Sequence, residues 1–181
     1  MKVKKYRESK TTNAPVMDER IIIRQMREFD IPSAMDIKND EGWYQVEDDW
    51  KLLIRTSPEW CLVAELGAEV VGTITSINYE NKIAWIGMML VRKEYRAQGI
   101  SKFLMKSVLE KLKGVEKVKL DATPAGLKVY ERIGVSADCD ISRLVRMPAY
   151  QKNHFPHGAR PGTNNKFLSY KKCSLEMPVV T

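Results

Sequence analysis

The first periodic segment of the chain covers residues 21–55 and predicts a strand followed by two helices. Ile21, Ile22 and Ile23 are β-branched and begin the strand. Asp30 precedes Ile31 and Pro32, an arrangement typical of a helix start in which aspartate caps the first turn and proline occupies it. Apolar residues at helical spacing predict the inward faces of the two helices: Ala34, Met35 and Ile37 on the first, Trp50, Leu53 and Ile54 on the second.

From Trp60 the apolar pattern changes to that of strands. Three segments are rich in β-branched and aromatic residues and are separated by hairpin-sized gaps: 61–65, 69–78 and 83–91. Helical spacing returns over 99–113, which predicts an amphipathic helix.

The last predicted elements are a short buried strand, a helix opened by Thr123 and Pro124, and a final strand, over 118–121, 124–134 and 136–147. The order of elements predicts an α/β (α+β) fold with a mixed, mostly antiparallel central sheet flanked by helices. We expect a flexible lead-in at 1–19, one folded domain at 20–147 and a basic C-terminal tail at 148–181.

Length and composition fit one cytoplasmic globular domain. The chain has 181 residues, of which 44% are hydrophobic and 29% are charged. The apolar run over 84–91 is too short to span a bilayer, and no apolar stretch follows the charged N-terminus as in a secretory signal. Cys61, Cys139 and Cys173 are widely spaced and are expected to be reduced thiols.

Charge is divided unevenly within the predicted domain. Residues 21–91 hold six basic and twelve acidic side chains, whereas residues 92–119 hold nine basic and three acidic ones. One part of the domain is therefore expected to attract cations and the other to attract anions, unless both are simply solvated faces.

The segment 91–101 lies between a predicted strand and the amphipathic helix. A strand that enters a turn at a helix N-terminus directs free main-chain N–H groups and the positive end of the helix dipole at one point. Gly99 allows the main chain to approach a ligand closely, and Lys93, Arg96 and Lys102 add positive charge. This turn favours a phosphate or pyrophosphate, with a basic surface loop as the plain alternative.

Four segments together resemble the acetyl-CoA-binding core of the GNAT family of N-acetyltransferases: WIGMMLV (85–91), EYRAQGIS (94–101), LDATPAG (120–126) and YERIG (130–134). The turn at 96–101 is similar to the family's Arg/Gln-x-x-Gly-x-Gly/Ala loop, with serine in the last place. The similarity covers residues 20 to about 147. It is strongest to a bacterial branch in which a second acetyltransferase-like domain often follows, and that domain is expected to be missing or truncated here.

The resemblance implies acetyl-CoA as cosubstrate, without a metal, and a set of site residues. Tyr130 matches the general acid that protonates the departing thiolate. The main chain at the end of the third hairpin strand would bind pantetheine, the turn would hold the pyrophosphate, and Thr123 stands where many members have a cofactor-binding asparagine. The implied cofactor residues are Met89, Leu90, Val91, Arg96, Ala97, Gln98, Gly99, Ile100, Ser101 and Thr123.

The acceptor and the general base are less well defined by the sequence. The family's usual strand glutamate has no counterpart in Trp85-Ile86-Gly87. Carboxylates and aromatic rings near the two early helices favour a primary amine on a cationic small molecule or peptide. Trp43, Tyr44, Asp48 and Asp49 are the predicted acceptor residues, Trp50 interleaves with them, and Glu41, Glu47, Asp48 and Asp49 remain alternatives for the base.

Other functions stay open at this stage. A catalytically weak CoA-binding or interaction module on the same fold is the main alternative, supported by Thr123 and by Val135 where the family usually has phenylalanine. A nucleic-acid contact through the basic tail and a metal site at His154 and His157 are disfavoured. A homodimer is an open alternative, and no membrane partner is expected.

Overall fold

The computed structural model describes residues 20–131, 135–143 and 170–178. These residues divide into two compact units, one reaching Leu120 and including 176–178, the other taking the described residues from Asp121 to Leu175. The expectations for 1–19, for the tail up to residue 169 and for the two histidines lie outside the described residues.

The first unit contains most of the regular structure. Its strands are β1 (Ile21–Gln25), β2 (Leu62–Leu66), β3 (Glu69–Tyr79), β4 (Ile83–Val91) and β5 (Lys117–Ala122, whose last two residues fall in the second unit). Its helices are α1 (Ile31–Asp40), α2 (Glu47–Thr56) and α3 (Ile100–Lys111), with short 3-10 turns at Glu28–Asp30, Pro58–Trp60 and Lys93–Tyr95.

The sheet of the first unit runs in the order β1-β2-β3-β4-β5. Neighbouring strands are antiparallel except for β4 and β5, which are parallel and are joined through α3. The predicted mixed, mostly antiparallel sheet with flanking helices is confirmed. Each hairpin strand was expected within one or two residues of its observed bounds because the short turns between them are marked by Gly67 and Asn81.

The packing of α1 and α2 explains the apolar spacing of residues 31–54. A buried cluster joins both helices to the sheet and includes Ile31, Ala34, Ile37, Trp50, Ile54, Val63, Val70 and Leu90. Met35, Trp43, Leu53 and Met88 pack against it and are partly buried. Trp50 is fully buried, and its ring therefore belongs to the core and not to an exposed aromatic surface.

Helix α3 packs closely on β3 because that strand has a glycine at the contact. A Cβ added at Gly72 would lie 3.1 Å from the main-chain oxygen of Leu90 and 3.2 Å from side-chain carbons of both Ile100 and Leu104. Glycine in a strand interior often marks such a close approach. The N-terminal turn of α3 is thereby held against the last part of β4.

Asp30 is the N-cap residue of α1, as predicted, but its side chain makes no capping hydrogen bond. A 3-10 turn precedes the helix, and Asp30 itself has helical dihedral angles. Its carboxylate instead accepts two hydrogen bonds of 2.8 Å from Arg24 and one of 2.8 Å from the N–H of Arg27. A buried carboxylate needs such strong partners, and Arg24 lies six residues away in β1, too far for a capping rule to anticipate.

The second unit contains α4 (Pro124–Glu131), β6 (Ser136–Arg143) and β7 (Tyr170–Pro178, whose last three residues fall in the first unit). β7 lies beside β6 in the sheet order. The C-terminal tail, whose structure could not be predicted, thus contributes the strand β7. No helix within the described ranges is long and apolar enough to cross a membrane.

Candidate functional site

A β-bulge interrupts β4 near its end. The register with β3 shifts between Thr73 and Thr75, whose partners are Leu90 and Gly87, so two residues of β4 oppose one of β3. Met88, one of the two, has a positive φ of 48°. The hydroxyl of Thr73 donates to the main-chain oxygen of Met88 at 2.7 Å and holds the bulge in place.

Beyond this bulge, β4 and β5 do not continue as a pair within the first unit. Their parallel register covers Ile83 to Ile86 on β4, opposite residues 117–120 of β5. Residues 87–91 of β4 are paired through the β3 side, where the register continues to Val91. Main-chain groups of Met89, Leu90 and Val91 on the other side therefore have no strand partner within this unit.

The turn after β4 is anchored to two other parts of the first unit. Arg92 donates from Nε to the oxygen of Val70 at 3.0 Å and contacts Glu69 at 3.1 Å. Tyr95 donates its hydroxyl to Glu69 at 3.0 Å, and this hydrogen bond raises the pKa of Tyr95. Lys93 donates to the main-chain oxygen of Asp40, at the end of α1, at 3.0 Å.

Arg96 is held by the protein itself. Its Nε donates to the oxygen of Val91 at 3.0 Å, and its terminal NH2 group forms an ion pair with Glu41. The guanidinium thus ties the turn to the segment after α1, and Glu41 neutralises part of its charge. Glu41, a candidate base in the sequence, is engaged in this contact.

The turn enters α3 through two residues in the left-handed backbone conformation. Ala97 and Gly99 have positive φ values of 62° and 85°. Gly99 is the N-cap residue and no side chain caps the helix there. Its oxygen accepts the first bond of the helix, from the N–H of Phe103 at 3.1 Å.

Among the described residues, we find no acceptor for the main-chain N–H groups of residues 99–102. This is the arrangement that binds anions at helix N-termini. Gln98 folds back to the oxygen of Glu94 at 3.3 Å, while Ile100 is buried and Ser101 half-buried. The predicted residues 96–101 therefore form one continuous turn around a group of open amides.

Thr123 and Tyr130 lie in the second unit, at the two ends of α4. The Thr123 hydroxyl accepts a hydrogen bond of 3.2 Å from the N–H of Gly126, so it caps the helix as predicted. A Cβ on Gly126 would lie 3.2 Å from the ring of Tyr130, and the absence of a side chain there makes room for the ring. Burial raises the pKa of Tyr130 to about 12.

The predicted acceptor residues lie on and before α2 in the first unit. Trp43 is half-buried against the core, and Tyr44 is 57% exposed. Asp49 accepts a 2.8 Å hydrogen bond from the N–H of Val46 and so caps α2. Asp48 is almost fully exposed and lies 3.8 Å from Lys51, which also pairs with Glu47 at 2.8 Å.

Three residues of the site were not identified from the sequence. Thr73 holds the bulge, Glu69 anchors the turn, and Gly72 admits α3 to the sheet. Only Gly72 carries a sequence signal, as a glycine inside an apolar strand. Within the described part of the chain, no group of three or more metal-ligating side chains could hold a metal ion.

Comparisons with known proteins agree on the kind of fold. The model of the acetyltransferase (GNAT) family matches residues 23–135, whereas no curated protein matches the chain significantly. Ard1 from Thermoplasma volcanium has a TM-score of 0.71 and 20% identity, covering 90% of this chain and 99% of that one. A putative acetyltransferase from Pyrococcus horikoshii has a TM-score of 0.64 and 26% identity, covering 78% and 53%.

A third solved structure is diaminobutyrate acetyltransferase EctA from Paenibacillus lautus, in complex with L-2,4-diaminobutyric acid and coenzyme A. Its TM-score is 0.63 at 16% identity, covering 89% of this chain and 96% of that one. The similarity to these solved structures concerns the fold, and membership of the family rests on the match to the family model. Because that model spans more than half of the chain, the protein belongs to the GNAT family and is an acyltransferase that moves an acetyl group from acetyl-CoA to an amine.

Proposed function

We propose that the acceptor is a primary amine on a cationic small molecule or peptide, and that acetyl transfer is direct. The neutral amine nitrogen attacks the thioester carbon, a C–N bond forms and the C–S bond breaks. The thiolate of CoA takes a proton from Tyr130, and the amine proton leaves to water or to a carboxylate. N-Acetylated amine and free CoA are the products.

The observation that carries the proposal is the set of open amides at residues 99–102. The diphosphate of acetyl-CoA needs several hydrogen-bond donors and a positive potential, and a helix N-terminus supplies both. Gly99 brings the main chain close to the ligand, and Ala97, Gln98, Ile100 and Ser101 complete the turn. Arg96 acts by fixing the turn through Val91 and Glu41.

The end of β4 supplies the place for the pantetheine arm. Its main-chain groups at Met89, Leu90 and Val91 lack a strand partner on one side within the first unit, so an extended amide-containing chain can bond to them as a strand would. One N–H of this segment polarises the thioester carbonyl and stabilises the oxyanion that forms when the amine attacks.

Tyr130 is suited to the role of the acid. Its phenol is protonated at neutral pH, and a phenol can donate a proton to a sulfur atom that becomes anionic. The hydroxyl of Thr123 either accepts a hydrogen bond from the cofactor or supports the cofactor site by capping the start of α4.

The acceptor side is proposed around the segment from Trp43 to Asp49. Tyr44 and Asp48 are exposed there, next to further carboxylates, and such groups bind cationic amines through charge and through the faces of aromatic rings. EctA, whose substrate is L-2,4-diaminobutyric acid, is an example of the same fold acting on a small molecule with more than one amino group.

Release of free CoA tests the proposal. The protein is mixed with acetyl-CoA and a panel of amines, and free thiol is followed with a reagent in a variant that carries Cys139→Ser and Cys173→Ser, because Cys139 is exposed and Cys173 is expected to be a reduced thiol. Acceptor-dependent release supports the proposed function. Binding of acetyl-CoA without release for any amine would instead favour a CoA-binding module.

A further inference from the structure

The hydroxyl of Thr73 is bonded to the neighbouring strand at the bulge of β4. Thr73 is fully buried, and its Oγ1 donates to the main-chain oxygen of Met88 at 2.7 Å. A buried hydroxyl needs such a partner. Because the acceptor is a main-chain oxygen, the hydrogen bond also fixes the orientation of the peptide unit between Met88 and Met89.

That orientation determines the direction of the N–H of Met89. In a trans peptide the C=O and the N–H point in opposite directions, and no cis peptide bond occurs among the described residues. The oxygen of Met88 faces β3, where Thr73 lies. The N–H of Met89 therefore points away from β3.

The pairing of β3 with β4 gives the same direction independently. Arg92 donates its N–H to the oxygen of Val71 at 2.9 Å, so these two residues form a hydrogen-bonded pair. Such pairs alternate along an antiparallel ladder, and Thr73 with Leu90 is the next one. The main-chain groups of Leu90 therefore face β3, and those of its neighbour Met89 face the other side.

The side that Met89 faces is the one without a strand partner. Within the first unit, the pairing of β4 with β5 ends at Ile86. The N–H of Val91 points the same way as that of Met89, but Val91 adjoins the turn, and its oxygen is bonded to Arg96. With the diphosphate at residues 99–102, the pantetheine arm would extend back along β4. Of the two open N–H groups, that of Met89 is the farther from the diphosphate and the nearer to the thioester.

We propose that Thr73 is a positioning residue for acetyl transfer, whose hydroxyl directs the N–H of Met89 at the thioester carbonyl through the oxygen of Met88. The inference rests on the proposed function, because it needs acetyl-CoA bound along β4. As the amine nitrogen bonds to the carbonyl carbon, negative charge develops on the thioester oxygen. The N–H of Met89 donates a hydrogen bond to that oxygen and keeps its proton. The bond from Thr73 polarises the same peptide unit and makes this N–H a stronger donor.

Infrared spectra of bound acetyl-CoA, labelled with ¹³C at the acetyl carbonyl, test this without any acceptor. A hydrogen bond to the thioester oxygen lowers the stretching frequency of the carbonyl, so the bound band should lie below that of free acetyl-CoA. Thr73→Val keeps the shape of the side chain and removes the hydroxyl, and should move the band toward the free value. Thr73→Ser keeps the hydroxyl and should keep the wild-type band.

Ser76→Ala is the matched control. Ser76 is a buried residue of the same strand, and its hydroxyl has no hydrogen-bond partner among the described residues. Its loss should leave the carbonyl band unchanged.

Kinetics give a second measurement. Thr73→Val should lower kcat by about two- to tenfold, the range of one neutral hydrogen bond, while the KM for acetyl-CoA stays within about twofold. Thr73→Ser should retain the wild-type kcat, which a role in packing alone would not predict. If Thr73→Val does not fold, Thr73→Ala, which also lacks the hydroxyl, replaces it in both measurements.

The outcomes separate this inference from the proposed function. A wild-type band at the free frequency, a band that Thr73→Val leaves unchanged, or an equal loss of kcat in Thr73→Val and Thr73→Ser would overturn the role of Thr73 and leave acetyl transfer standing. Absence of acetyl-CoA binding in calorimetry would overturn the proposed function, and this inference with it.

Discussion

Glu41 forms an ion pair with Arg96 across 55 residues of sequence, while Arg96 also donates from Nε to the main-chain oxygen of Val91 at 3.0 Å. The pair joins the segment after α1 to the turn that precedes α3. It gives Arg96 a positioning role, and it makes Glu41 part of the support of the turn.

Glu41→Gln should therefore affect cofactor binding more than the chemical step. Because exposed ion pairs contribute about 0–1 kcal/mol, the KM for acetyl-CoA should rise by up to about fivefold. The kcat at saturation should stay within about twofold, which initial-rate kinetics will measure. Glu28→Gln, which breaks the exposed pair with Arg55, is the control. A fall in kcat of about a hundredfold would identify Glu41 as the general base.

Gly99→Ala should weaken binding of acetyl-CoA. The left-handed conformation at φ 85° costs a side-chain-bearing residue about 1–2 kcal/mol, so the turn should shift. Gly114→Ala is a matched control, since Gly114 has φ 90° and open space around it, at the far end of α3. Both variants should lose similar stability in thermal unfolding. Equal affinity for acetyl-CoA in both would show that the turn around Gly99 is not the binding element.

Gly72→Ala should destabilise the first unit. The added methyl group would meet the Leu90 oxygen at 3.1 Å and two α3 side chains at 3.2 Å, and such overpacking costs about 1–3 kcal/mol. Gly87→Ala, whose Cβ would have its nearest neighbour at 3.8 Å, should be tolerated. Urea unfolding of the two variants measures the difference, and equal midpoints would contradict the close packing of α3 on β3.

Tyr130→Phe should lower kcat by about a hundredfold or more, the range for loss of a general acid, with the Kd for acetyl-CoA unchanged. Tyr79→Phe, on an exposed tyrosine, should keep full activity. Retention of kcat in Tyr130→Phe would remove Tyr130 from the mechanism.

The pH dependence of stability gives a second test of Tyr130. Its pKa is about 12 in the folded protein and has a usual value of 10.0. Because the unfolded chain then loses its proton first, the stability linked to this group is complete below pH 10 and falls as the pH rises toward 12. Tyr130→Phe should lose stability less steeply than the wild type over this window, as followed by chemical unfolding. An identical slope would mean that the phenol is not buried.

Cys61 and Cys139 should differ sharply in reactivity. Burial raises the pKa of Cys61 to about 12, with partial opposition from a main-chain bond to Ser76, whereas Cys139 is exposed. A variant that keeps Cys61 as its single thiol should be unreactive toward an aromatic disulfide at pH 8 until it is unfolded. The variant that keeps Cys139 should react at once. Rapid labelling of native Cys61 would show that its site is open.

The sequence predicted those parts of the fold that depend on neighbouring residues. Spacing of apolar residues gave α3 and the hairpin strands, and the turn at Gly99 follows from its place between a strand and a helix. The partner of Arg96, Glu41, lies 55 residues away, and the partner of Asp30, Arg24, lies in the preceding strand, so rules on neighbouring residues do not predict either pair. Trp50 was placed both on the inward face of α2, from helical spacing, and near the acceptor, and its full burial agrees with the inward face.

β7 was missed because the alternation of apolar residues in Tyr170–Pro178 is limited to Cys173, Leu175 and Met177 and follows two adjacent lysines in a tail with few apolar residues. The bulge at Met88 was missed because a methionine at positive φ has no sequence signal, and the hydroxyl that holds it comes from Thr73 on the next strand. Both features depend on pairing between strands.

Titration of ¹⁵N-labelled protein with acetyl-CoA, followed residue by residue in amide NMR spectra, tests whether the N–H groups of residues 99–102 bind the diphosphate. We expect the largest shifts at these four N–H groups, and we expect CoA to reproduce them and Gly99→Ala to reduce them. Saturable binding that leaves these four amides unchanged and moves others instead would contradict it.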